Sequence, residues 1–228
     1  MIRSVLVFYT LIVLKALSRI FYRPDFAWVG EVPENPWKGI RLVCFLNHTS
    51  LFEPVFLSGV PNSFCWRLAR HGVAPAASKT TDRPLVGILF KFVANKVIPI
   101  TRERDYTWFQ VLEKIDPDSM VVILPEGRMK RANGLDNNGQ PMSVRGGIAD
   151  ILEAIGKGRM LMAYSGGLHH VQFPGHMPSV FETVRMRLED VEISTYIAEM
   201  KNVGGEENFK RAVREDMDRR RDFYCAPS

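Results

Sequence analysis

The stretch FLNHTSLFEP at 45–54 sets His48 directly after an apolar run and places a carboxylate, Glu53, five residues on. A histidine and an acid at short range can work as a general-base pair. The acid holds one ring N–H, which fixes the tautomer and leaves the other nitrogen to accept a proton. On one continuous helix the two residues would stand about 140° apart and share no face. They meet if His48 lies in the loop before a helix and Glu53 in its first turn. The same letters also fit a helix start, with Ser50 as N-cap and Glu53 three residues later, as in a capping box. Both readings stay open on these ten residues. A metalloprotease helix is excluded in the stretch, because no H-E-x-x-H occurs there.

A second cluster, LPEGRMKR at 124–131, follows an apolar run. A turn after a buried strand offers free backbone N–H groups, and Arg128, Lys130 and Arg131 add charge suited to a phosphate. Glu126 can orient an arginine or contact a hydroxyl there; an ordinary charged turn is the alternative. A third cluster, ITRERD at 100–105, offers Arg102 and Arg104, which are equally compatible with a solvent-facing strand end. His169, His170 and His176 with Glu182 match no metal-ligand spacing, so no metal site is expected. Ser165 sits in Y-S-G-G, which is not the G-x-S-x-G elbow of a serine hydrolase.

These clusters need elements to hold them. IRLVCFL (40–46), KVIPI (96–100), SMVVILPEG (119–127) and RMLMAYSG (159–166) read as strands. Residues 83–95, 106–115 and 144–158 read as helices, 50–59 as a helix start, and 64–71 fits either type. Alternation of strands and helices predicts an α/β fold with a mostly buried central sheet flanked by helices. His48, Arg102 and Glu126 each follow a strand, and sites in such sheets collect at strand carboxyl ends.

The expected organisation is an amphipathic helix at 1–23, a connection at 24–39 with three prolines, a main domain at 40–204, and a charged surface helix and tail at 205–228. In the first segment an apolar run at 4–14 gives way to Lys15, Arg19 and Arg23 at four-residue spacing, on one helical face. The run is shorter than the roughly 20 residues of a spanning helix. It suits a helix lying in a membrane interface, with a docked core helix and a tilted span as alternatives. No small-residue cleavage site follows it.

The 228 residues carry a net charge of +5, which favours a partner with phosphates: nucleic acid, an anionic membrane or a phosphorylated substrate. Aromatic and basic residues are not interleaved as a nucleic-acid stacking platform requires, so no nucleic-acid partner is expected. Three scattered cysteines suggest neither a disulfide framework nor a zinc site, and point to a reducing compartment.

In order and spacing the three clusters resemble the motifs of the glycerolipid acyltransferase family, of the lysophosphatidic acid acyltransferase type. The family's N-H-x4-D stands here as Asn47-His48-TSLF-Glu53, with Glu in place of Asp. VIPITR carries Arg102, and Pro125-Glu126-Gly127-Arg128 matches its P-E-G turn. Lys79, the RPLVG segment and the later VRGG sit where members carry similar residues. The resemblance spans about residues 40–170, and 161–175 matches the family's fourth motif poorly. It implies acyl transfer from a thioester, acyl-CoA or acyl carrier protein, to a lysophospholipid hydroxyl, with no further cofactor. His48 would be the base and Glu53 its partner. Asn47, Lys79, Arg102, Glu126, Gly127 and Arg128 would bind substrate, the last four holding the acceptor's phosphate or glycerol. The implied location is the cytoplasmic face of a membrane, with the chain peripheral or N-terminally anchored. A catalytically silent lipid-binding protein on the same fold is the alternative, prompted by Glu53.

Overall fold

Residues 40–46 alternate between two hydrophobic layers, and that alternation organises the molecule. Leu42, Cys44 and Leu46 face one core; Val43 faces the other. The computed structural model describes residues 1–228 apart from 83–86, 88–90, 102–104, 173–175 and 226–228, and apart from the side chains of Lys79 and Thr80. The described elements are α1 (Ile2–Phe21), β1 (Arg23–Trp28), β2 (Ile40–Leu46), a 3-10 helix (Glu53–Gly59), α2 (Asn62–His71), β3 (Gly72–Ala77), α3 (Ser78–Thr81), β4 (Lys96–Ile100), α4 (Tyr106–Glu113), β5 (Met120–Ile123), α5 (Gly147–Ile155), β6 (Arg159–Ser165), β7 (Thr183–Glu192) and α6 (Ile193–Tyr224).

The strands form one sheet in the order β1-β7-β6-β2-β5-β3-β4. Every pairing is parallel except β6 with β7. The α/β fold expected from the alternation is therefore present. β2 lies between β5 and β6, with Cys44 level with Ile123 on one side and Met162 on the other. One face is covered by α1, the 3-10 helix and α2 through Val7, Leu11, Phe56, Phe64 and Leu68. The other is covered by α4, α5 and α6 through Trp108, Val111, Ile151, Tyr196 and Val213.

Several boundaries differ from the sequence reading. The connection expected at 24–39 contains most of β1, an edge strand parallel to β7; an edge position tolerates the missing N–H of Pro24. β7 was not expected from the sequence. Residues 64–71 fall in a helix. The final helix begins at Ile193, and 205 is a break within it, where Gly205 adopts φ 71°. It is not a purely surface element, since Phe209, Val213 and Met217 enter the core. The helix expected at 83–95 falls largely outside the described residues.

The polar residues of α1 are the clearest correction. Lys15 does not face outward with Arg23: it is 6% exposed and donates to Asn62 Oδ1 of α2. Arg19 is exposed but donates to the Ser58 carbonyl. At the other end of the helix Arg3 donates to the carbonyls of Lys91 and Asn95. Ile2, Leu6, Tyr9, Val13, Leu17 and Ile20 point outward instead. The helix thus packs Val7 and Leu11 on the core, ties Lys15, Arg19 and Arg3 to the domain, and leaves a second apolar face outward.

Candidate active site

β2 and β5 end side by side, so the segments after them meet. Asn47 leaves β2 with φ 64°, in the left-handed region that asparagine adopts more readily than most residues. This bend turns the next two amides toward Glu126, in the turn after β5. Glu126 Oε1 accepts the Asn47 N–H at 3.1 Å and Oε2 accepts the His48 N–H at 2.8 Å. Asn47 also donates its side-chain amide to the Ser165 carbonyl at the end of β6, at 2.8 Å. Three neighbouring strand ends thereby hold one residue pair.

His48 Nδ1 lies 2.7 and 2.6 Å from the two oxygens of Glu53. A carboxylate only accepts, so Nδ1 carries the hydrogen and Nε2 the lone pair. The loop geometry expected for a meeting of the two residues is present: His48 precedes the helix and Glu53 is its first residue. The helix is a 3-10 helix, with Pro54 next to Glu53. Glu53 also accepts the Thr49 N–H at 3.0 Å. It therefore serves the chain's turn and the imidazole together, whereas the capping box with Ser50 as N-cap is not formed: the helix starts at Glu53, with Phe52 as its N-cap and no side-chain cap.

Hydroxyls near His48 are occupied structurally. Ser50 Oγ accepts the Phe52 N–H and donates to Gln172. Thr49 Oγ1 accepts from Leu168, and Ser165 Oγ accepts from Gly167. Burial pushes the Cys44 thiol well above its ordinary range. His169 and His170 each donate a ring N–H to a backbone carbonyl, of Lys130 and Thr183. Among the described residues no three His, Cys, Asp or Glu side chains gather as metal ligands do.

His48 and Glu53 lie on the wall of a cavity of about 710 Å³. Much of the wall is apolar, including Phe26, Trp37, Phe45, Phe56, Phe64 and Leu68. Gly127, Arg128, Arg145 and Lys210 supply a polar part. Arg128 is ion-paired with Asp136, whose carboxyl is held down at about 2 by the Gln140 N–H and by Arg128. Lys210 is paired with Asp150. Arg145 has no acidic partner among the described residues and was not singled out in the sequence; its only signal was membership of VRGG.

Two of the expected substrate-binding residues stand elsewhere. Glu126 is 1% exposed, does not line the cavity, and faces the backbone of residues 47 and 48. Of its two sequence readings, orientation of an arginine is the one met: Arg221 Nη1 lies 3.3 Å from Oε1. Burial raises its carboxyl above the ordinary range, opposed by the His48 N–H and Arg221. All its contacts are donors, the pattern a carboxylate satisfies. Asn47 likewise turns its amide to Ser165 and lies off the apolar cavity. Gly127 lines the cavity with φ 66°, a conformation for which glycine is suited. Lys79 belongs to α3, without a described side chain, and Arg102 lies outside the described residues.

A model of the acyltransferase family matches residues 31–167. The chain belongs to the acyltransferase family. The match covers β2, the 3-10 helix, β5 and α5, the elements that position His48, Glu53 and Arg145. The acyltransferase fold here is similar to that of the crystal structure of PlsC, the 1-acyl-sn-glycerophosphate (LPA) acyltransferase from Thermotoga maritima. The TM-score is 0.57 and the identity 17%, over 95% of this chain and 80% of that one. No curated protein sequence matches this acyltransferase at a comparable standard.

Proposed function

We propose that this acyltransferase moves a fatty acyl group from a thioester, on CoA or acyl carrier protein, to a hydroxyl of a lysophospholipid or related glycerolipid. His48 Nε2 takes the acceptor's hydroxyl proton as the oxygen attacks the thioester carbon. The tetrahedral intermediate collapses, the C–S bond breaks, and the imidazolium returns the proton to the departing thiolate. Glu53 holds Nδ1–H and stabilises the imidazolium between the two steps. The observation that carries this reading is the His48–Glu53 contact on the wall of a largely apolar cavity. A base is presented where an acyl chain can be buried, and the neighbouring hydroxyls are engaged elsewhere.

The cavity's polar wall suits the acceptor's phosphate. Arg145 brings a guanidinium with no acidic partner among the described residues, and Arg128 a second one shared with Asp136. The reading of a silent binding protein draws on the extra methylene of Glu53. Its contact with both His48 and the Thr49 amide favours a working relay. Membrane association is supported by the outward apolar face of α1, the one described helix long and apolar enough to cross a bilayer. Ties at both ends of α1 to the domain favour a helix lying on the surface.

The test is thiol release from palmitoyl-CoA on adding lysophosphatidic acid in mixed vesicles, with wild type and His48→Ala compared. Acceptor-dependent release that vanishes in a folded His48→Ala protein is expected. Equal release from both proteins would remove His48 as the base.

A further inference from the structure

The family match ends at residue 167, yet the last turn of α6 reaches back into the site. Arg221 is 8% exposed at its side chain, and its partner Glu126 is fully buried. Its Nη1 contacts Glu126 Oε1, and the same guanidinium binds Asp218 at 2.7 Å and Asp222 at 2.9 Å. Those two acids hold the arginine in place from its own helix. Glu126 in turn carries the amides of Asn47 and His48, one on each oxygen. A continuous chain of contacts therefore runs from the C-terminal helix to the backbone beneath His48.

We infer that Arg221 is a positioning residue for acyl transfer: it anchors the carboxylate that carries residues 47 and 48, and so sets where His48 stands against Glu53. The inference rests on His48 being the base. Asn47 is held at φ 64°, in a sparsely populated backbone region that persists only where the surroundings enforce it. A carboxylate can accept both amides. A protonated acid commits one oxygen to its own hydrogen and loses its full hold on one of them.

Several groups bear on Glu126. His48 faces it from the site loop, Arg221 from α6, and Cys225 from just beyond that helix. Asp218 and Asp222 draw on the same guanidinium, and Lys130 acts on Cys225. Of the surroundings that lower the Glu126 carboxyl, Arg221 is the permanent cation. Without it, burial drives protonation at a higher pH. The loop then relaxes and His48 leaves its place on Glu53.

The experiment compares wild type, Arg221→Gln, Arg221→Lys, Glu126→Gln and the Arg221→Gln/Glu126→Gln double variant, by acyl transfer against pH. Arg221→Gln should lower kcat by about 10- to 100-fold, the range expected for a misplaced base, with little change in KM for either substrate. Its acid limb should move to higher pH, and Arg221→Lys should restore most of the rate. The double variant should be no slower than Glu126→Gln. A pH-independent loss, additive losses, or an unchanged kcat in Arg221→Gln would each overturn the inference. If Arg221→Gln does not fold, Glu126→Gln keeps the test: full activity with an unchanged pH profile would sink it.

A second readout separates this inference from the functional reading. The His48 Nδ1–H proton, observed by NMR, reports the contact with Glu53 without turnover. Its signal should be lost at a higher pH in Arg221→Gln than in wild type. Identical titrations would overturn the positioning role even where no transfer is detected. Absence of transfer in every protein, wild type included, with the NMR shift as expected, would count against the acyl-transfer reading only.

Discussion

At the scale of single residues, the site depends on a carboxylate used twice. Glu53 binds the imidazole and the Thr49 amide, so its charge and its reach are both in use. Glu53→Gln keeps the length and removes the charge. The amide no longer enforces the Nδ1–H tautomer or stabilises the imidazolium. Transfer should fall on the order of 10²- to 10⁴-fold, with donor binding little changed. Steady-state thiol release with both substrates varied checks this. A loss below threefold would mean that His48 is oriented by other groups. The motif letters made His48, Glu53 and Gly127 legible in advance. Glu126 was legible as important but not in its role, because its aim backward at residues 47 and 48 follows from the packing of β2 beside β5. Arg221 was not legible: its partner is 95 positions away, and local charge on α6 looks like any solvated face.

At the scale of elements, junctions decide where strands begin. β3 starts directly after α2, at Gly72. A Cβ there would lie 2.3 Å from the Leu68 carbonyl oxygen, a backbone atom that cannot swing aside. Gly72→Ala should therefore cost about 1–3 kcal/mol, read as a lower urea midpoint with an unchanged slope. A midpoint equal to wild type would mean the α2–β3 corner shifts freely. The same corner explains why β3 was missed. Its sequence, GVAPAA, holds a proline in what became an inner strand. Only Gly72 and Val73 pair with β5, so Pro75 lies beyond that ladder and is level with Ile98 of β4 alone. β7 did carry a period-two signal, with Val184, Met186 and Leu188 buried. Its alternate arginines and acids gave it the look of a surface segment. The buried strands β2, β5 and β6 were plain because nearly every residue in them is apolar.

At the scale of the molecule, α1 presents an outward apolar face through Ile2, Leu6, Tyr9, Val13, Leu17 and Ile20. Val13 and Leu17 on this face are 57% and 46% exposed, so changing them should spare the fold. Val13→Asp/Leu17→Asp should keep the wild-type melting temperature and weaken vesicle binding. Each lost apolar side chain removes about 1.5 kcal/mol or more, so the pair should lower partitioning roughly a hundredfold. Co-sedimentation of the full chain with anionic phospholipid vesicles measures it. Undiminished binding would move the membrane contact away from α1.

The pairing of β1 with β7 has a consequence for how the chain is made. It sets Arg23 beside Thr183, so of the described strands the earliest in the chain waits for the latest. At roughly 5–20 residues per second, that wait is on the order of ten to thirty seconds. Throughout it β1 is an unpaired strand beside an apolar helix, the kind of segment that aggregates or recruits chaperones. Closure over so long a loop also makes folding slow relative to locally connected domains. Yield in cells should thus be governed by what shelters α1 and β1 during synthesis, more than by the stability of the finished sheet.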